Sequence, residues 1–112
     1  MIWYGGRLFR PVKNSKTGET SSETIFRYQQ KGDVLTGDYS GGEIEYGQLI
    51  GLVDERGHIN MRYQHINDRG FLMTGRCKSR PRIMESGKIR LHERWQWTCG
   101  DRSKGTSILE EI

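Results

Sequence analysis

The sequence predicts a single all-β domain, an antiparallel up-and-down eight-stranded β-barrel, and three observations carry that prediction. Helical signals are missing: no apolar period of three to four residues is sustained, and Ala, the strongest helix former, does not occur in the 112 residues. Eight segments are instead rich in β-branched or aromatic residues or alternate in polarity. The links between most of them are short and carry glycine, which makes successive strands antiparallel neighbours. Pairing the first strand with the last closes the sheet and removes its exposed edges.

In chain order the strands fall near 2–12, 23–31, 33–40, 43–54, 57–66, 71–79, 88–99 and 106–112. Turn chemistry separates them at Lys31-Gly32-Asp33, Ser40-Gly41-Gly42, Glu55-Arg56-Gly57, Asn67-Asp68-Arg69-Gly70 and Glu85-Ser86-Gly87. The first link differs: residues 13–22, KNSKTGETSS, are polar throughout and read as a longer, mobile loop. Within the strands, Gly47, Gly51 and Gly75 suggest bulges or bends that coil a small barrel. Pro81 is expected to break the sixth strand near its end and tilt Arg80 and Arg82 toward a barrel mouth. The segment from Ser103 to Ile112 supplies the closing strand, with Glu110 and Glu111 near Arg7 or Arg10 at the seam.

Composition bounds the class. Gly is abundant at 15 and Pro scarce at 2, which suits tight reversals between strands. No apolar run approaches the roughly 20 residues that cross a bilayer as a helix, and the start lacks a signal-peptide core, so a cytoplasmic protein is expected. Cys77 and Cys99 make neither a disulfide framework nor a metal-ligand spacing and read as reduced structural residues. A net charge of +4 permits weak attraction to polyanions without deciding a partner.

The most informative stretch is KIRLHERWQWTC, Lys88 to Cys99. Strand alternation puts Ile89, Leu91, Glu93, Trp95, Trp97 and Cys99 on one face, so a carboxylate sits in an aromatic row. A buried acid there needs a donor, a ligand or a shifted pKa. The same parity sends Ile59, Met61, Tyr63 and His65 inward from the fifth strand, and Phe71, Met73, Gly75 and Cys77 from the sixth. In the fourth it favours Ile44, Tyr46, Gln48, Ile50 and Leu52, although Leu49 and Val53 fit the opposite parity. The expected lumen therefore holds Tyr46, Gln48, Tyr63, His65, Glu93, Trp95 and Trp97, with Tyr28 and Trp3 joining if parity carries through the first loop. An eight-stranded barrel is just wide enough to be filled by side chains or to hold one small ligand.

The runs GGEIEYGQLIG (41–51), RYQH (62–65) and RLHERWQWTCGDRSKGTSILEEI (90–112) resemble a group of small bacterial proteins, some of which carry the label N-acetylglutamate synthase. The resemblance covers most of the chain, but its motifs have no assigned chemistry, so no catalytic residue is carried over. That label implies an acetyl-coenzyme A site, which needs a pyrophosphate cradle at a helix N-terminus, and the sequence predicts no such helix. In architecture the inferred shape is similar to the avidin and lipocalin barrels, a likeness of fold and not of function.

Three functional readings follow. Tyr46, Tyr63, His65, Glu93, Trp95 and Trp97 form an aromatic-walled site for a small anionic or aromatic ligand, or a self-satisfied polar network that pins the barrel's register. Glu93 and His65 can instead serve as a proton-transfer pair in a small enzyme, though no nucleophile motif accompanies them. Outside, Arg76, Lys78, Arg80 and Arg82 align with Arg90, His92 and Arg94 across a hairpin, a basic surface for a polyanion or an acidic protein. That face lacks aromatic platforms, which argues against nucleic acid. No cofactor is implied. A metal site is not predicted either, because His58 and His92 point outward while His65 points inward. The oligomeric state is not fixed by the sequence.

Overall fold

The computed structural model describes residues 2–112, which form eight strands and no helix. These are β1 (Leu8–Asn14), β2 (Ile25–Lys31), β3 (Val34–Gly41), β4 (Ile44–Val53), β5 (Ile59–Asn67), β6 (Leu72–Ile83), β7 (Ile89–Trp97) and β8 (Lys104–Glu111). Each pairs antiparallel with the next, and β1 also pairs with β8, so the sheet closes into the barrel that the sequence predicts. The seam has the expected charge pair: Arg7 Nη1 lies 2.9 Å from Glu111 Oε2, while Glu110 pairs with Arg90.

β1 starts later than expected, at Leu8, because residues 2–6 fold across one end of the barrel. Tyr4 is fully buried there. Its ring packs on Phe9 and Tyr28 with centroids 6.3 and 6.2 Å away, its amide donates to Gln30 Oε1, and its hydroxyl donates to the carbonyl of Gly57. Beneath this cap the inward residues Leu35, Ile59, Ile89, Leu91 and Leu109 fill the lumen as an aliphatic core. Trp3 stays outside, about half exposed.

Toward the other end the inward faces become aromatic and polar. The larger rings fit because each lies over a glycine directly across the ladder: Tyr39 opposite Gly47, Tyr63 opposite Gly75, Trp95 opposite Gly105. A Cβ at those glycines would stand 2.4, 2.2 and 2.2 Å from the rings. The glycines expected to be bulges or bends are thus regularly paired and make room for side chains. The bulges fall elsewhere, between Pro11 and Lys13, Tyr39 and Gly41, and Ile44 and Tyr46.

The last of these corrects the reading of β4. One extra residue after Ile44 reverses the alternation, so Gly47, Leu49 and Val53 face the core while Gln48, Ile50 and Leu52 face outward. Tyr46 is therefore on the outer surface, 52% exposed, and is not a lumen residue. Phe71, also expected inside, lies in the turn before β6 and is exposed. Nor does Pro81 break β6, which pairs with β7 as far as Ile83. Beyond Ser79, β6 has no β5 partner, and such an edge tolerates a residue without an N–H.

Candidate functional site

The link between β1 and β2 lies across the open mouth. Trp95 Nε1–H donates to Asn14 Oδ1 at 3.2 Å and Trp97 Nε1–H to the carbonyl of Thr17 at 3.0 Å. Asn14 Nδ2 donates onward to the carbonyl and hydroxyl of Thr20. The polar segment read as a mobile loop is therefore tied to the barrel by the two indoles it covers, which are edge-to-face with each other at 5.6 Å.

Glu19 drops from this loop into the mouth, with its side chain only 10% exposed. Its Oε1 lies 2.8 Å from His65 Nε2, and its Oε2 lies 3.2 Å from Asn67 Nδ2 and 3.0 Å from an Arg69 nitrogen. Behind it, Tyr39 Oη is 2.8 Å from His65 Nδ1. Burial drives the Tyr39 phenol well above its ordinary pKa, so Tyr39 keeps its proton and donates to Nδ1. Burial also lowers the His65 pKa, against the raising effect of Glu19. The neutral ring then carries its proton on Nε2 and donates to Glu19.

Glu93 sits deeper, at mid-barrel, and is 7% exposed. Ser107 Oγ donates to its Oε1 at 2.9 Å and Ser79 Oγ to its Oε2 at 3.0 Å, both from the neighbouring strands β8 and β6. Desolvation outweighs these bonds, and the Cys77 thiol beside them, and lifts the carboxyl from 4.5 to about 7. Cys77 is itself pushed well above its ordinary value, by burial first and by Glu93 second. Both cysteines are free.

Tyr63, His65, Glu93, Trp95 and Trp97 all line one cavity of about 50 Å³, together with Tyr39, Met61 and Glu19. Water occupancy needs roughly 10–15 Å³, so the closed lumen has room for a few waters and not for a metabolite. Glu93 and His65 share this cavity but not a hydrogen bond, each being held by other partners. The arrangement brings no proton-transfer pair into contact. His58 and His92 face away from it, and among the described residues no three His, Cys, Asp or Glu side chains converge as metal ligands do.

On the outside, Arg76, Lys78, Arg80 and Arg82 stand opposite Gln96, Arg94, His92 and Arg90. Among the described residues of this row only Arg90 has an acidic partner, Glu110. Burial, and after it Arg80, Arg90 and Arg82, hold the His92 pKa below its ordinary value.

Several residues of the site escape sequence reasoning. Ser79 and Ser107 follow from strand parity once Glu93 is known to need donors. Asn67 and Arg69 lie at a turn, and Glu19 lies in a loop with no period to read, so nothing local marks them. No curated protein and no solved structure matches the chain. The model of the avidin-like proteins matches residues 2–112, in keeping with the closed eight-stranded meander, and the chain belongs to that avidin-like family.

Proposed function

We propose that this barrel binds a small molecule in the upper half of its lumen, beneath the loop of residues 15–24. The observation that carries the reading is the contrast between the two ends. One is packed solid under Tyr4 with Phe9, Tyr28 and aliphatic side chains; the other keeps indoles, phenols, a histidine and two carboxyls around residual space. Small-molecule sites have that composition, apolar walls with a few convergent polar groups. Membership of a family of avidin-like barrels supports the same class of role.

The covering loop is built to leave. SKTGETSSE, residues 15–23, has no apolar side chain, so lifting it exposes little hydrophobic surface of its own. What holds it are hydrogen bonds, each worth a net ~0.5–1.5 kcal/mol between neutral groups and ~1.5–3 kcal/mol to the Glu19 carboxylate, which water or a ligand can replace. An NMR titration with a metabolite library, read at the Trp95 and Trp97 indole N–H signals with exposed Trp3 as the control, tests the reading. Binding moves the two lumen indoles and spares Trp3. A library that leaves them unmoved while the loop is shown to open refutes it.

A second reading rests on the unpaired cations of the β6–β7 face, which suit a polyanion or acidic protein. Heparin binding that falls steeply with salt and is lost in a Lys78→Glu, Arg94→Glu variant supports it; salt-independent or absent binding removes it.

A further inference from the structure

Every group that Glu19 meets in the mouth is a donor, and the donors are positioned by the barrel and not by the loop. Asn67 is 1% exposed, and its Oδ1 already accepts the backbone N–H groups of Arg69 and Phe71, each at 3.0 Å. Its amide is therefore locked, with Nδ2 aimed into the mouth. His65 is 3% exposed and is locked by Tyr39, which occupies Nδ1 and leaves Nε2–H pointing the same way. The ring is further held edge-on between Tyr39 and Trp97, at 5.6 and 5.7 Å. Arg69, half exposed at the rim, completes the set while also reaching Glu43 and Asp68.

Two buried, locked donors and the half-exposed Arg69 at the rim converge on one place, and the two buried ones have no acceptor of the barrel's own there. When the loop lifts, the buried donors lose the carboxylate they face, and a ligand that displaces water from them without replacing it as acceptor leaves them unpaired at a cost. An incoming group that restores the pattern must be an acceptor with two oxygens spread as in Glu19. The geometry points to a carboxylate subsite: His65 Nε2–H, Asn67 Nδ2 and Arg69 hold the carboxylate of the lumen ligand, and Glu19 is an internal stand-in that this carboxylate displaces. This assignment rests on the lumen reading above and names the ligand's chemical class. Glu43 and Asp68 keep the rim from being strongly positive, so recognition comes from the aimed donors more than from net charge.

The test removes the stand-in from the full chain. Glu19→Ala and wild type are titrated with sodium acetate, against sodium chloride at matched ionic strength and against acetamide, following the His65 ring and Trp95 and Trp97 indole signals. Acetate should bind Glu19→Ala at least ten-fold more tightly than wild type and shift the His65 ring, and acetamide should not. Adding Arg69→Met to Glu19→Ala should weaken acetate at least several-fold. Should Glu19→Ala fail to fold, Glu19→Gln keeps the side-chain length, replaces one acceptor by a donor, and should show the same preference. A folded variant that treats acetate no better than acetamide overturns the subsite. The two readings separate with benzoate and benzamide on the same variant. If both move the indoles equally, the lumen binds but the carboxylate assignment is wrong. If acetate shifts His65 while no larger probe moves an indole, the subsite stands and the lumen reading falls.

Discussion

Replacing Glu93 by glutamine should make the barrel more stable at alkaline pH and remove the fall in stability that this carboxyl imposes between pH 4.5 and about 7. Folding takes this carboxyl from 4.5 to about 7, chiefly by desolvation. Between those values the folded state binds more protons than the unfolded state, so wild-type stability falls as pH rises through that window and is level beyond it. At about 1.36 kcal/mol per pH unit, the loss is about 3 kcal/mol, a large share of the 5–15 kcal/mol typical of a domain. The amide of the Glu93→Gln variant carries no charge to desolvate. It can accept from one of Ser79 and Ser107 and donate to the other, so its cost at pH 4.5 should stay within about 1 kcal/mol. His65 works the other way: its lowered pKa means that stability is lost as pH falls below 6.5. That contribution is common to both proteins, so the difference between them isolates Glu93. Urea unfolding at pH 4.5, 6 and 8 is the assay, and with a slope of ~1–3 kcal/mol/M the variant's midpoint at pH 8 should exceed wild type by ~1–3 M. A variant that is equally destabilised at all three pH values would show that Glu93 is ionised and well solvated in the fold, and the desolvation argument would fail.

Ser107→Ala removes one of the two hydroxyls that oppose desolvation, so Glu93 should titrate above 7, read from its carboxyl ¹³C shift; an unchanged or lower value would mean that Ser107 does not donate to it. Gly75→Ala puts a Cβ against the Tyr63 ring and should cost ~1–3 kcal/mol in urea unfolding with a changed near-ultraviolet aromatic signal, whereas equal stability would mean that the ring yields freely. Tyr39→Phe deletes the donor to His65 Nδ1; ring ¹⁵N shifts should turn from a single Nε2–H tautomer to a mixture, at a cost of about 1 kcal/mol, and a pure Nε2–H ring in the variant would show that Glu19 alone fixes the proton.

Strand number, order and closure are legible because they depend on local alternation and on turn residues, both of which the chain states openly. Glu93, Trp95 and Trp97 can be aimed inward from the KIRLHERWQWTC pattern alone, and His65 from INMRYQHIN, since β7 and β5 keep an unbroken two-residue period. Tyr46 is misplaced by parity because it follows a break in that period. A bulge adds a residue without any composition of its own, so only Leu49 and Val53 hint at the reversal. The strand glycines are visible but not their purpose, because Tyr39 over Gly47 and Trp95 over Gly105 are facts about register between strands. Least legible is Glu19. Its partners lie some 46 to 50 residues away, and a polar loop carries no signal that one of its side chains reaches into a barrel.

That long-range contact also bears on why the lumen holds polar groups at all. A barrel of this width can be filled by its own side chains, and the end beneath Tyr4 is filled in that way by Phe9, Tyr28 and the aliphatic residues around them. If the upper half served stability alone, replacing its buried polar groups by apolar residues of similar volume would cost little or even stabilise the fold, as buried ion pairs and networks often show. The sequence instead keeps a carboxyl raised to about 7 at mid-barrel and a histidine and asparagine locked as donors above it. It then satisfies those donors with a side chain from the segment of the barrel that has no apolar anchor. A network meant only to hold the fold would draw its acceptor from the rigid sheet, as Glu93 draws its donors from β6 and β8. Taking it from the loop of residues 15–24 fits the proposal that one acceptor is exchanged for another in the upper lumen while the barrel around it stays closed.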